Sequence, residues 1–217
     1  MQKINKLKNM NDSTAAENST TNTAISENSA ISKKVVSISS PIESTTDIKI
    51  ISNVADLLKN ICEENNSIEI NNKNIAINKK IKLFMLKKIP SITIKDYLLR
   101  LVRYSKINGS TLIFILIYID RLCLKNKFKI TFLNIYKFIL TALVIAVKYN
   151  EDEFYSSEFY AKLGGISKAE MNIMEYEFIT MIHFNLFIKE ELFFKYHDLL
   201  LNEEKDSNED EKDDEEK

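Results

Sequence analysis

The chain has 217 residues, 45% apolar and 28% charged, with a formal net charge of −1, three glycines, two prolines and no tryptophan. That length carries one domain with a real core, or two small ones. So few turn-forming residues argue against an all-β fold and favour helices on short links. The charge is unevenly spread. Residues 203–217, "EEKDSNEDEKDDEEK", hold ten acids against three lysines, a net −7 that leaves +6 on the remainder. An excess that mild, without a dense basic patch, predicts no direct nucleic-acid partner.

Residues 1–45 are rich in Ser, Thr, Asn and Ala without a sustained hydrophobic period, and are expected to be disordered. From Asp47 the spacing of Ile48, Ile51, Val54, Leu57, Leu58 and Ile61 predicts an amphipathic helix over 47–62. "EENNSIEINNKNIAINKK" reads as a polar loop, and "IKLFMLKKIPS" as a short helix or extended arm stopped by Pro90. Thr93 and Asp96 suit a capped start for a helix over 94–105 that carries Tyr97, Leu98, Leu101, Val102 and Tyr104. "NGS" breaks it, and Ser110 is placed to cap a second helix, 111–125. That segment is apolar nearly all round, as a central buried helix is. A third helix is predicted over 132–149 and a short fourth over 157–163. Gly164 and Gly165 there permit the left-handed turn that ends a helix. Ser167 with Glu170 forms a capping box for a fifth helix, 168–183, and "KEELFFKYHDLL" is a last amphipathic helix before the acidic tail. The fold class is therefore all-α: a globular bundle of five helices over about 92–187, with no internal repeat.

Other chemistry is sparse. His183, His197, Cys62 and Cys123 make no metal-ligand spacing, and Cys123 is expected to be a small core residue. No phosphate-cradling glycine loop and no zinc-protease or nucleophile-elbow motif occurs, so neither cofactor, metal nor small-molecule substrate is expected. "MQKINKLKNMNDST" has no apolar h-region, so no secretory signal is expected. The longest apolar runs, Leu112–Ile119 and Ile139–Val147, fall far short of the ~20 residues of a membrane span. An intracellular protein, in nucleus or cytoplasm, is expected. "NEDE", 150–153, reads as a solvated loop.

One residue breaks the pattern. In "LIFILIYIDRLCLK" eight apolar residues run to Ile119, and then an acid appears inside what reads as a buried helix. A buried charge is costly unless paired, so Asp120 calls for a partner elsewhere.

The order of five helices, with "SITIKDYLLRLVRYSK", "YIDRL", Ala146 and Lys148 in "AVKY", and "EFYAKLGGISKAEMNIMEYEF", resembles a cyclin box. It is most similar to the single-box P- and U-type cyclins related to the yeast phosphate-pathway cyclin. The likeness covers about 92–187, and the 47–62 helix fits the extra N-terminal helix such cyclins carry. Tyr149 where Phe is usual, and Phe159 for a Tyr or His, are small departures. The resemblance divides the chain into a disordered 1–45, a cyclin domain over 46–202 and a disordered acidic 203–217.

The resemblance implies a regulatory subunit without chemistry of its own. Such a subunit binds a cyclin-dependent serine/threonine kinase and positions its C helix, so that a Lys–Glu ion pair forms beside ATP. By that likeness Lys148 and Glu175 grip backbone C=O and N–H groups of the kinase, with Glu177, two residues on, ranked below Glu175. Ile145, Tyr149, Ile179, Phe184 and Leu186 form the implied apolar contact surface. Arg100, with Arg103 as the alternative, is the implied partner of Asp120 in a structural ion pair. Substrate docking through a tryptophan-based patch is in doubt, because there is no Trp. The competing reading is a transcription-factor-type adaptor of the same fold, binding other proteins or nucleic acid. That reading expects a second repeat, a zinc ribbon and a basic face, none of which is found in this sequence.

Overall fold

The computed structural model of the chain describes residues 45–71, 79–126 and 129–201. The expectations for 1–44 and 203–217 lie outside them. Among the described residues there are eight helices and no strand: α1 Thr45–Asn71, α2 Lys79–Phe84, α3 Ile94–Ser105, α4 Gly109–Asn126, α5 Ile135–Asn150, α6 Ser157–Gly164, α7 Lys168–Met181 and α8 Glu190–Leu201.

The two most apolar helices form the centre. Every residue from Thr111 to Ile119 on α4 is buried, and so is every residue from Phe138 to Val147 on α5. The two lie against each other, with α1 and α8 covering α4 and with α6 and α7 covering α5. A helix buried on all faces must satisfy its polar groups internally: Thr141 bonds the carbonyl of Lys137 at 2.7 Å. The short α2 is anchored in the core by an aromatic residue. Phe84 stacks on Phe138 at 4.5 Å and meets the edge of Phe178 at 6.4 Å, tying α2 to α5 and α7.

Local signals set most of the ends. Thr93 Oγ1 accepts from the Asp96 N–H at 3.0 Å, and α3 runs over the predicted 94–105. Its last turn closes on Lys106 in the left-handed region (φ 53°), rather than on "NGS". The cap of α4 is Asn108, whose Oδ1 accepts from the Thr111 N–H at 3.1 Å, and not Ser110. Gly109 opens this helix because the Asp47 carboxylate of α1 occupies the place of a side chain: it accepts from the Gly109 N–H at 3.0 Å. The start of α5 lies three residues later than predicted. Asn134 closes a turn on Thr131 first, accepting from its N–H at 2.8 Å.

The pair Gly164–Gly165 splits into two roles. Gly165 takes the left-handed turn (φ 72°). At Gly164 a Cβ would stand 2.1 Å from Leu140, so this glycine permits α6 to approach α5. Ser167 caps α7 through the Glu170 N–H at 3.1 Å, but the Glu170 carboxylate turns to Lys137 at 2.7 Å, so only half a capping box forms. Of the polar loop expected over 63–80, the part to Asn71 continues α1 and Lys79 opens α2, while 72–78 lies outside the described residues. Tyr104, placed on the core face by its spacing, is exposed.

Candidate protein-binding site

Asp120 has a different partner from the one expected. The polar end of α4 faces the last helix and the segment between α7 and α8. Tyr196 of α8, fully buried, donates its hydroxyl to Asp120 Oδ2 at 2.6 Å. Tyr118 donates to the carbonyl of Leu186 at 3.0 Å, Arg121 to that of Asn185 at 2.9 Å, and Asn126 to that of Met181 at 3.1 Å. Burial pushes the Tyr118 hydroxyl pKa up and lowers that of the Arg121 guanidinium. "YIDRLCLKN" is thus a row of hydrogen-bonding side chains that fixes the chain leaving α7 and docks α8.

Arg100 takes no part in this. It is exposed, and among the described residues no ion pair joins it to Asp120. The expected Arg100–Asp120 pair is therefore corrected. The physical reason is the placement of α3, which packs on α1, with smaller contacts to α5 and α6, and turns its arginines outward. Arg103, the alternative, is exposed as well.

Lys148 and Glu175 meet. Lys148 ends α5, Glu175 lies in the middle of α7, and Lys148 Nζ stands 2.7 Å from both carboxylate oxygens. The same ammonium donates to Ser157 Oγ, in the first turn of α6, at 3.0 Å. One cation therefore joins three helices, with its side chain 29% exposed and the carboxylate 16% exposed. Glu175 sits at the edge of the buried face of α7, which is formed by Met171, Met174, Phe178 and Met181. Glu177 points elsewhere, to Lys80 of α2 at 3.0 Å.

The apolar residues expected around this pair separate by burial. Tyr149 and Phe184 are exposed, and Ile179 and Leu186 are half-buried. Ile145 is only 2% exposed and belongs to the hydrophobic core, so it is corrected from surface to packing. Phe184 is the most exposed large apolar residue among the described residues, at 68%. It and His183 hold consecutive left-handed conformations (φ 56° and 58°), a costly backbone for non-glycine residues. The Phe184 N–H bonds the carbonyl of Ile179 at 2.9 Å, and Asn185 and Leu186 are held from α4. The strain is thus borne by a row of fixed contacts that presents an aromatic ring to solvent.

Phe154, Tyr155 and Tyr176 lie outside the expected contact surface. All three are exposed, and Tyr155 stacks on Phe159 at 4.2 Å. Tyr176 follows Glu175, and Phe154 and Tyr155 lie just before Ser157. The available signal was an aromatic pair inside the polar linker "NEDEFYSSE". Among the described residues no His, Cys, Asp and Glu cluster is arranged for a metal ion.

Among the described residues the fold is all-helical, and the Lys148–Glu175 pair sits where three of its helices meet. The family model for Cyclin matches residues 1–186, well over half of the sequence, and the chain belongs to the cyclin family. Cyclin-U2-1 of Arabidopsis thaliana is 36% identical over 118 residues, 54% of this chain and 53% of that protein. PHO85 cyclin-like protein psl1 of Schizosaccharomyces pombe is 38% identical over 122 residues, 55% of this chain and 50% of that protein. Cyclin-P3-1 of Oryza sativa subsp. japonica is 32% identical over 129 residues, 58% of this chain and 55% of that protein. The chain spans about half the length of these curated relatives. No helix among the described residues is long and apolar enough to cross a membrane.

Proposed function

We propose that the chain, through residues 46–202, is the regulatory subunit of a cyclin-dependent serine/threonine kinase, and that Lys148 and Glu175 grip the backbone at the start of the kinase C helix. The observation that carries this reading is the largely buried ion pair, still open to solvent at one side, at the meeting of α5, α6 and α7. Its chemistry suits a backbone. Lysine only donates and an ionised carboxylate only accepts, so the two serve a carbonyl and an N–H side by side. The three protons of Lys148 are directed at Glu175 and Ser157, so the ammonium is aimed before a partner arrives. A kinase carbonyl takes the place of Ser157 Oγ, while Glu175 keeps free lone pairs for an N–H. Tyr149, Phe184 and the half-buried Ile179 and Leu186 supply the apolar contacts around this polar centre, with Tyr176 and the Phe154–Tyr155 pair at the rim.

The kinase performs the phosphoryl transfer, and this subunit holds the kinase Lys–Glu pair in register. It needs no cofactor, metal, nucleic acid or small-molecule substrate of its own, and acts inside the cell, in nucleus or cytoplasm. The test is recovery of the tagged full chain from its source cell, with a kinase assay on the recovered material. The expected result is a bound serine/threonine kinase whose activity depends on added chain. A well-folded helical protein that recovers no kinase would overturn the reading.

A further inference from the structure

The chain has three arginines. Arg121 is committed to the carbonyl of Asn185. The other two, Arg100 and Arg103, lie one turn apart on α3 and are exposed. They line a groove of about 470 Å³ between α3 and α6, with Asp96, Leu99, Tyr104 and Leu163. Asp96, the one acid there, is engaged by the Thr93 hydroxyl at 2.7 Å. Lys95 and Lys106, on either side, are exposed and add to the positive charge. Guanidinium groups hold their charge at every physiological pH and take carboxylates two bonds at a time. The groove is therefore built for an acidic peptide with some apolar character at its floor.

The chain carries such a peptide. Residues 203–217 hold ten acids against three lysines and begin two positions after Leu201, the end of α8. The point of exit is fixed: Asn53 of α1 donates to the carbonyl of Leu200. The neighbouring Ser52 accepts from Lys95, at the start of α3, at 3.1 Å. Adjacent residues of α1 thus hold both the departure of the acidic run and the entry to the arginine groove. From Lys95 to Arg103 is about 12 Å of helix. An extended chain covers that in about four residues.

We propose that the acidic run 203–217 docks in cis on the Arg100/Arg103 groove and covers this face of α3. Tethering gives the run an effective concentration in the millimolar range, so weak, salt-sensitive contacts hold it. The cover is therefore removable, by salt or by a competing polycation.

The experiment compares the full chain with a full-length variant whose ten acids in 203–217 are changed to their amides. Both are treated with phenylglyoxal, and modification is read arginine by arginine by mass spectrometry. Arg100 and Arg103 should react at least fivefold more slowly in the native chain at low salt, and the difference should vanish at 1 M NaCl. Arg121 should stay slow in both chains, which reports that each is folded. Equal rates at Arg100 and Arg103 in the two folded chains overturn the proposal, as does a difference indifferent to salt. In the unaltered chain, a zero-length carbodiimide should link carboxylates of 203–217 to Lys95 or Lys106. Links confined to lysines elsewhere overturn it too.

Discussion

The pairing of Asp120 is open to a direct energetic test. The Tyr196 hydroxyl reaches its carboxylate at 2.6 Å, from a side chain with no exposure. A hydrogen bond to a charged group contributes about 1.5–3 kcal/mol. Tyr196→Phe removes the donor and keeps the ring in its packing, so it should cost about 2 kcal/mol. For a unit of this size that lowers the melting temperature by about 4–8 °C. Arg100→Ala should shift it by less than about 1 °C, because an exposed side chain with no ion pair among the described residues, and at most salt-screened contacts to the acidic run, contributes little. Double-mutant cycles by thermal or urea denaturation separate the cases. Tyr196→Phe with Asp120→Ala should show a coupling of about 1.5–3 kcal/mol, and Arg100→Ala with Asp120→Ala a coupling near zero. Coupling above about 1 kcal/mol between Arg100 and Asp120, with none to Tyr196, would refute the argument.

Two further outcomes follow from packing. Gly164→Ala places a Cβ 2.1 Å from Leu140 and should destabilise by about 1–3 kcal/mol, read as a lowered urea midpoint with an unchanged slope. A midpoint unchanged by the added methyl would mean that α6 does not approach α5 so closely. Cys62 is buried, and that burial, aided by the nearby Glu63 charge, pushes its thiol up to about 12. At pH 8 it stays protonated, so alkylation should take Cys123 first and Cys62 only on unfolding. Labelling of Cys62 in the folded chain as fast as of Cys123 would contradict its burial.

How far the sequence could be read depended on the range of the interaction. The ends of α3, α6 and α7 are set within a few residues by Thr93, Ser156 and Ser167, each accepting an N–H three positions on, and such signals are visible in the chain itself. The apolar stretches of α4 and α5 announce central helices for the same reason. Asp120 announces only that it needs a partner. The partner, Tyr196, is 76 residues away in a helix whose tyrosine reads as ordinary amphipathic packing. Lys148 and Glu175, 27 residues apart, are linked only by family resemblance, since on its own Lys148 reads as a C-terminal lysine facing the helix dipole and Glu175 as a solvated helix-face charge. Ile145 shows the limit of an apolar pattern. A residue one turn from a partly exposed lysine is surface or core according to what covers it, and that is decided only when the helices pack.

The claim at the centre of this account is that Lys148 and Glu175 are the grip on a kinase. It is met most directly by titrating a purified cyclin-dependent kinase from the source cell with the wild-type chain, with Lys148→Ala/Glu175→Ala and with Phe184→Ala, following phosphorylation of a peptide. Melting curves on each variant separate lost binding from lost fold, and Phe184, exposed and outside the core, can be removed without a cavity. The account predicts saturable activation by the wild type, none by the folded double variant, and a weakening of about tenfold or more with Phe184→Ala, an anchor of about 1.4 kcal/mol or more. Full activation by a folded Lys148→Ala/Glu175→Ala chain would contradict it.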